Sequence, residues 1–311
     1  MLNLAPHAAG IPMLAALAIV PALSGSADRE TAAPASLDTS LHFLSRPGGR
    51  IAYDDRGSGP LGVMVPGLGD VRAEYRFLAP RLVASGYRVV TMDLRGHGQS
   101  SPGWDDYSSA ALGSDVVALL RAIDAGPATL IGTSMGAAAT AWAAAEAPDR
   151  VAGLVVIGPF VRDIPPESWA KGVMQKLIIR AAFVWPWATT AWGAYYDTLY
   201  PTRKPADYAD YRAKLLANLA EPGRMAATKA MMSLPKSDVE ARLAEVRART
   251  LMVMGTKDPD FADAGAEAKT VAGLLRGRVA LIDGAGHYPH AEMPDLTAPI
   301  ILAFLAGEAR S

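Results

Sequence analysis

From Leu41 onward, short apolar runs alternate with longer stretches whose apolar positions recur every three or four residues. LHFLSR and RIAYDDRG, separated by Pro-Gly-Gly, read as a β-hairpin. Six further strand-like runs follow: LGVMVPG (61–67), YRVVTMD (87–93), ATLIG (128–132), VAGLVVIG (151–158), TLMVMG (250–255) and RVALID (278–283). Most lack polar alternation, the pattern of strands covered on both faces of a parallel sheet. Helical spacing occupies 74–84, 108–124, 134–147 and 262–274. The alternation predicts an α/β fold: a doubly wound, mostly parallel sheet with the hairpin at one edge. From 161 to 249 the strand signal stops and helical, aromatic composition takes over. That interval predicts a helical cap inserted between two core pieces, 41–160 and 250–311. Such a cap would lie beyond the carboxyl ends of the strands, where ligands bind in open parallel sheets.

Residues 1–40 stand apart. IPMLAALAIVPAL (11–23) is apolar but too short to span a bilayer, and small polar residues follow it. It reads either as an atypical export signal cut after Ser24 or Ser26, or as a plain extension; no Lys or Arg precedes it. A cytoplasmic and an exported placement both stay open, and no stable transmembrane anchor is expected.

Charge and composition narrow the chemistry. The 30 Lys+Arg and 31 Asp+Glu residues nearly cancel, so no net field favours nucleic acid. With no cysteine, thiolate nucleophiles, disulfides and Cys-bound metals are excluded. The five histidines carry no HExxH pattern, so neither a metal nor another cofactor is expected.

Gly132-Thr133-Ser134-Met135-Gly136 matches G-x-S-x-G between a predicted strand and an Ala-rich helix. A tight turn there lifts the serine oxygen out of the sheet, and the glycines permit the crowded backbone. Serine needs a base. His7 lies in the extension, His42 begins the first strand and His97 sits in a loop after the fourth. His287 and His290 both follow the last strand; His287 leaves it first, behind Gly284 and Gly286, whereas His290 is placed to begin the C-terminal helix. For the acid, Asp258 follows TLMVMG directly, Asp260 is the main competitor and Asp163 a weaker one. The amide of Met135 at a helix N-terminus, and that of Leu68 in the glycine-rich loop Pro66–Asp70, suit an oxyanion hole.

Together VPGLGD, TMDLRGHGQS, IGTSMGAAA, VMGTKDPDF and DGAGHYPHAEMPD resemble the capped serine hydrolases of the α/β-hydrolase fold, across about residues 41–306. The resemblance implies Ser134 as nucleophile, Asp258 as acid, His287 as base, and Leu68 and Met135 as oxyanion amides. Pro66-Gly67 stands where many relatives carry His-Gly, and His97 matches a structural loop with no catalytic role.

Between Arg180 and Asp197 lie sixteen uncharged residues holding Trp185, Trp187 and Trp192. These tryptophans, with Phe160, are candidate pocket residues, although core packing uses the same residue types. The expected activity is hydrolysis of a small-molecule ester of a small or medium apolar acid, through an acyl-enzyme. The same triad serves carbon–carbon hydrolases, perhydrolases and acyltransferases, and a non-catalytic ligand-binding homologue is the rival from another class. An ordinary histidine base would bring activity up near pH 6–7.

Overall fold

A computed structural model describes residues 41–164 and 187–307. The expected extension, Trp185 and the first part of the expected cap lie outside the described residues. Eight strands form one sheet in the order β1-β2-β4-β3-β5-β6-β7-β8. They are β1 (Leu41–Arg46), β2 (Gly49–Arg56), β3 (Leu61–Val65), β4 (Arg88–Met92), β5 (Ala128–Thr133), β6 (Val151–Ile157), β7 (Arg249–Gly255) and β8 (Arg278–Ile282). β1 and β2 form the antiparallel edge and β2 pairs antiparallel with β4; every later pairing is parallel.

The unbroken apolar runs have a direct physical cause, since alternate residues feed two different cores. Val63, Val65, Leu130, Leu154, Val156, Met252 and Met254 pack into one apolar cluster. Their neighbours Met64, Ile131, Val155, Ile157, Leu251 and Val253 pack into the other. Both faces are covered, so the middle positions of these strands are apolar on both sides, and each fully buried apolar side chain contributes roughly 1.5–3 kcal/mol.

Helices α1 (Ala79–Ala84), α2 (Ser109–Ile123) and α3 (Met135–Glu146) follow β3, β4 and β5 respectively. The predicted 74–84 helix is a 3-10 turn, Arg72–Tyr75, and then α1. Among the described residues, four helices fall between β6 and β7: α4 (Ala188–Thr198), α5 (Tyr208–Ala220), α6 (Arg224–Ser233) and α7 (Ser237–Glu240). Their aromatic core includes Trp192, Tyr196, Tyr200, Tyr208 and Tyr211, and it extends to Tyr288 in the loop after β8. This layer therefore sits on the loops at the carboxyl ends of the strands. The chain closes with α8 (Ala264–Leu274), α9 (Pro289–Glu292) and α10 (Pro294–Leu305). No helix among the described residues is long and apolar enough to cross a membrane.

Candidate active site

Ser134 joins β5 to α3 with φ 53° and ψ −117°, a backbone that costs a non-glycine residue about 1–3 kcal/mol. The surroundings hold it there: its N–H donates to the Ile157 carbonyl (2.8 Å), and its own carbonyl accepts from the Phe160 N–H (3.3 Å). The flanking glycines serve close approach. A Cβ on Gly136 would lie 2.1 Å from the Val65 carbonyl oxygen, and one on Gly132 would lie 2.4 Å from the Gly136 oxygen. The turn is thus seated on the end of β3, and Ser134 meets the loop that follows it: a Cβ on Gly67 would stand 3.3 Å from that of Ser134.

Across the strand ends, His287 and Asp258 form a buried pair, with Nδ1 2.8 Å from Asp258 Oδ2. The pair rests on bare backbone, because a Cβ on Gly158 would come within 3.1 Å of both Asp258 Oδ2 and His287 Nδ1. The His287 N–H donates to the Leu199 carbonyl (3.0 Å), which fixes the loop against the residue after α4. Asp260, the competing carboxylate, is also close, with Oδ2 3.5 Å from the same Nδ1. Burial alone would push the imidazole pKa down. The charges of Asp258 and Asp260, the Asp258 hydrogen bond and the charge of Glu74 outweigh it and raise the pKa to about 9.

The other candidates are engaged elsewhere. Asp163 accepts from the Lys236 N–H at 3.0 Å. His290 lies in α9, buried and stacked on Tyr75 with ring centroids 5.1 Å apart. Its Nε2 is 3.0 Å from Glu74 Oε1, an ion-pair distance without hydrogen-bond alignment. Ser134 and the His287 ring share Phe160 as a neighbour: its N–H donates to the Ser134 carbonyl and its ring lies 6.1 Å from the imidazole.

The loop after β3 is clamped from both sides. The Gly67 N–H donates to Glu74 Oε2 (2.7 Å) and the Gly69 N–H to His97 Nε2 (3.0 Å). The amides flanking Leu68 are therefore both fixed by buried side chains, which holds the intervening peptides. Burial drives the His97 pKa down to about 4, with Arg224 adding to it and the Arg95 carbonyl opposing. The neutral ring is then set to donate from Nδ1 to that carbonyl (3.1 Å) and to accept at Nε2. Asp70, at the loop's end, accepts from the hydroxyls of Tyr196 (3.0 Å) and Tyr211, which belong to α4 and α5. Sequence reasoning missed Glu74 and gave His97 no link to this loop; the signal within reach was a histidine beside glycines in RGHGQS.

The candidate pocket residues divide. Phe160 stacks on Phe261 (centroids 5.1 Å apart) and lies 6.1 Å from the His287 ring, beside the base. Trp192 is buried against the loop, so that a Cβ on Gly69 would come 2.2 Å from its Cζ2. Trp187 stands just before α4 with 67% of its surface exposed, unlike the buried Trp192. Among the described residues, the one convergence of three metal-capable side chains is Asp258, Asp260 and His287, with ligand atoms within 4.8 Å. Nδ1 is the imidazole atom that faces Asp258 and Asp260, which is the geometry of an oriented base.

Comparison with known proteins agrees with this architecture. The chain is 29% identical to 2-(acetamidomethylene)succinate hydrolase of Mesorhizobium japonicum over 278 residues, 85% of this chain and 96% of the relative. It is 27% identical to 3-oxoadipate enol-lactonase 2 of Acinetobacter baylyi over 56% of this chain and 62% of that one. A hydrolase from Pseudomonas aeruginosa superposes with a TM-score of 0.72 at 25% identity, over 85% of this chain and 98% of its own. The family profile of the alpha/beta hydrolase fold matches residues 63–294, and the chain belongs to that family.

Proposed function

We propose that the protein is a serine hydrolase acting on a neutral ester of a small or medium apolar acid. The observation that carries this is the strained Ser134 turn opposite the buried His287–Asp258 pair. Ser134 Oγ attacks the ester carbonyl while His287 Nε2 takes its proton; His287 then gives that proton to the leaving alcohol. Asp258 holds Nδ1–H and so fixes the tautomer. The amides of Leu68 and Met135 bind the oxyanion, and water, activated by the same histidine, releases the acid.

Charge argues for a neutral substrate. The relative's name gives a succinate, a carboxylate that calls for cationic partners. Among the described residues, the arginines beside the site are engaged: Arg162 with Glu267, Arg72 with Asp93 and Asp54, Arg76 with Asp207. The groups whose charge reaches His287 are carboxylates, those of Asp258, Asp260 and Glu74. An anionic acyl group would meet repulsion, whereas Phe160 and Phe261 offer apolar contact beside the base.

The test is turnover of p-nitrophenyl esters from acetate to decanoate between pH 6 and 10, with fluorophosphonate labelling in parallel. Hydrolysis should peak at short or medium chains, and kcat/KM should rise with pH toward about 9, because only neutral imidazole accepts the proton and the surrounding carboxylates favour the charged form. The limb thus belongs above the ordinary histidine range. Absence of both turnover and labelling in folded protein would end the hydrolase reading.

The clamp on the loop has its own consequence. His97→Ala leaves the Gly69 amide without its acceptor, at about 1–3 kcal/mol. With the loop loosened, kcat should fall about 10- to 100-fold at nearly constant KM, less than losing an oxyanion donor outright. His97→Gln, which can still accept, should recover part of it. Unchanged kinetics in His97→Ala would remove the loop from the mechanism.

A further inference from the structure

His287 is braced by two carboxylates, and only Asp258 is needed for the chemistry above. Asp260 Oδ2 lies 3.5 Å from the same Nδ1, beyond hydrogen-bond length but within strong Coulombic reach. Nor is Asp260 held by its own loop alone. Its backbone N–H donates to Asp258 Oδ1 (3.1 Å), while its carboxylate is held from the opposite side by the Tyr195 hydroxyl, 2.8 Å from Oδ1 and 2.7 Å from Oδ2. Tyr195 belongs to α4, and its ring meets Trp192 edge-on at 5.4 Å, the same tryptophan that covers Gly69. One helix over the strand ends therefore touches both the oxyanion loop and the surroundings of the base.

We propose that Asp260 is a positioning residue of this hydrolase: a second counter-charge on His287, set in place by Tyr195, so that the base is fully poised only while α4 is docked on the strand ends. The inference rests on the hydrolase reading for its kinetic consequence, though not for its electrostatic one.

The charged and titratable groups around the imidazole come from four segments. Asp258 and Asp260 approach from the loop after β7, and Glu74 acts from the 3-10 turn. The ring of Tyr288, the residue after His287, stands edge-on to the imidazole with centroids 5.0 Å apart, and Tyr195 reaches Asp260 from α4. Burial raises the Asp260 pKa to about 6, with His287 and the Tyr195 hydroxyl pulling it back and Asp258 adding to the rise. Removing the Tyr195 hydroxyl takes away the hydrogen bonds that hold the Asp260 carboxylate toward Nδ1, so His287 feels that charge less closely. Asp260→Asn and Tyr195→Phe should then move His287 in the same direction, down, and the second by less.

The test reads the base with and without turnover. NMR titration of isotopically labelled His287 follows its protonation directly in the wild type, Asp260→Asn and Tyr195→Phe. The pH dependence of kcat/KM for a p-nitrophenyl ester follows it through catalysis. In Asp260→Asn the midpoint should fall by about one pH unit or more, the usual effect of an opposite charge at this range. The acid limb of kcat/KM should fall with it, while activity on the high-pH plateau stays within about tenfold of wild type. Tyr195→Phe should give a smaller shift together with a raised KM, because α4 loses an anchor; Asp260→Glu should restore the limb. A midpoint that does not move in Asp260→Asn, or activity lost equally at every pH, overturns the proposal. A shifted NMR midpoint without wild-type ester turnover would sink the substrate reading and leave the role of Asp260 standing.

Discussion

Replacing His287 with alanine should lower kcat for ester hydrolysis about as far as Ser134→Ala does, by roughly a million-fold, and the double variant should be no worse than either. On the proposed mechanism the two side chains act as one device. A serine hydroxyl is a poor nucleophile until its proton has somewhere to go, and the imidazole has no other task in the attack. Once either is gone the other contributes nothing, and what remains is positioning and whatever the Leu68 and Met135 amides give the developing oxyanion. Asp258→Asn should sit between, at about 10⁴-fold, since an amide keeps the shape of the carboxylate but favours the wrong tautomer. Each variant must melt near the wild-type temperature for the comparison to count. Losses that multiply in the double variant would mean that the two residues act independently, and a His287→Ala protein with substantial turnover would send the search for a base to Glu74 and His290.

Sequence reasoning succeeded where the physics is local and failed where it is tertiary. The central strands could be read because alternate residues feed two cores, which leaves unbroken apolar runs, and the edge pair β1–β2 because Pro-Gly-Gly separates two strand-like runs. Ser134 could be read because its strain is imposed by its immediate neighbours, a strand, two glycines and a helix. Asp258 and Asp260 could not be separated with the same ease. They lie two residues apart on one loop and both converge on Nδ1, at 2.8 and 3.5 Å, so the difference is one of angle and distance that spacing does not encode. The aromatic segment around α4 was the least legible. Trp192 is buried on the Pro66–Asp70 loop and Trp187, five residues earlier, is exposed. What separates them is that Trp187 precedes α4 while Trp192 lies on the face of it that docks. Glu74 was invisible for a related reason: in sequence it is one acidic residue in an amphipathic stretch, and its role comes from burial beside the Gly67 amide. The base itself looked ordinary until its neighbours were in place, since nothing along the chain announces that carboxylates from two separate segments converge on it.

Gly136→Ala should damage stability and activity together, out of proportion to one added methyl. The new Cβ would stand 2.1 Å from the Val65 carbonyl oxygen and 2.5 Å from that of Pro66. Both are backbone atoms, so no side chain can rotate away to make room. Val65 is the last residue of β3, paired in parallel register with Gly132 of β5, and neither strand can shift alone. The displaced element must then be the β5–α3 turn, which carries Ser134, or the Pro66–Asp70 loop, which carries Leu68. Overpacking of this kind costs about 3 kcal/mol, the upper end of the usual range, because the relief has to come from main chain. For a protein of this size that is a fall in Tm of about 5 °C. Any relief also moves the nucleophile relative to the oxyanion amides, so the fraction that remains folded at 25 °C should show kcat reduced by at least about 100-fold. Gly273→Ala serves as control, since nothing lies within 4 Å of a Cβ there and α8 should gain slightly from alanine. A Gly136→Ala protein with wild-type Tm and kcat would mean that β3 and α3 are not in backbone contact, and the placement of the nucleophile over the oxyanion loop would fall with it.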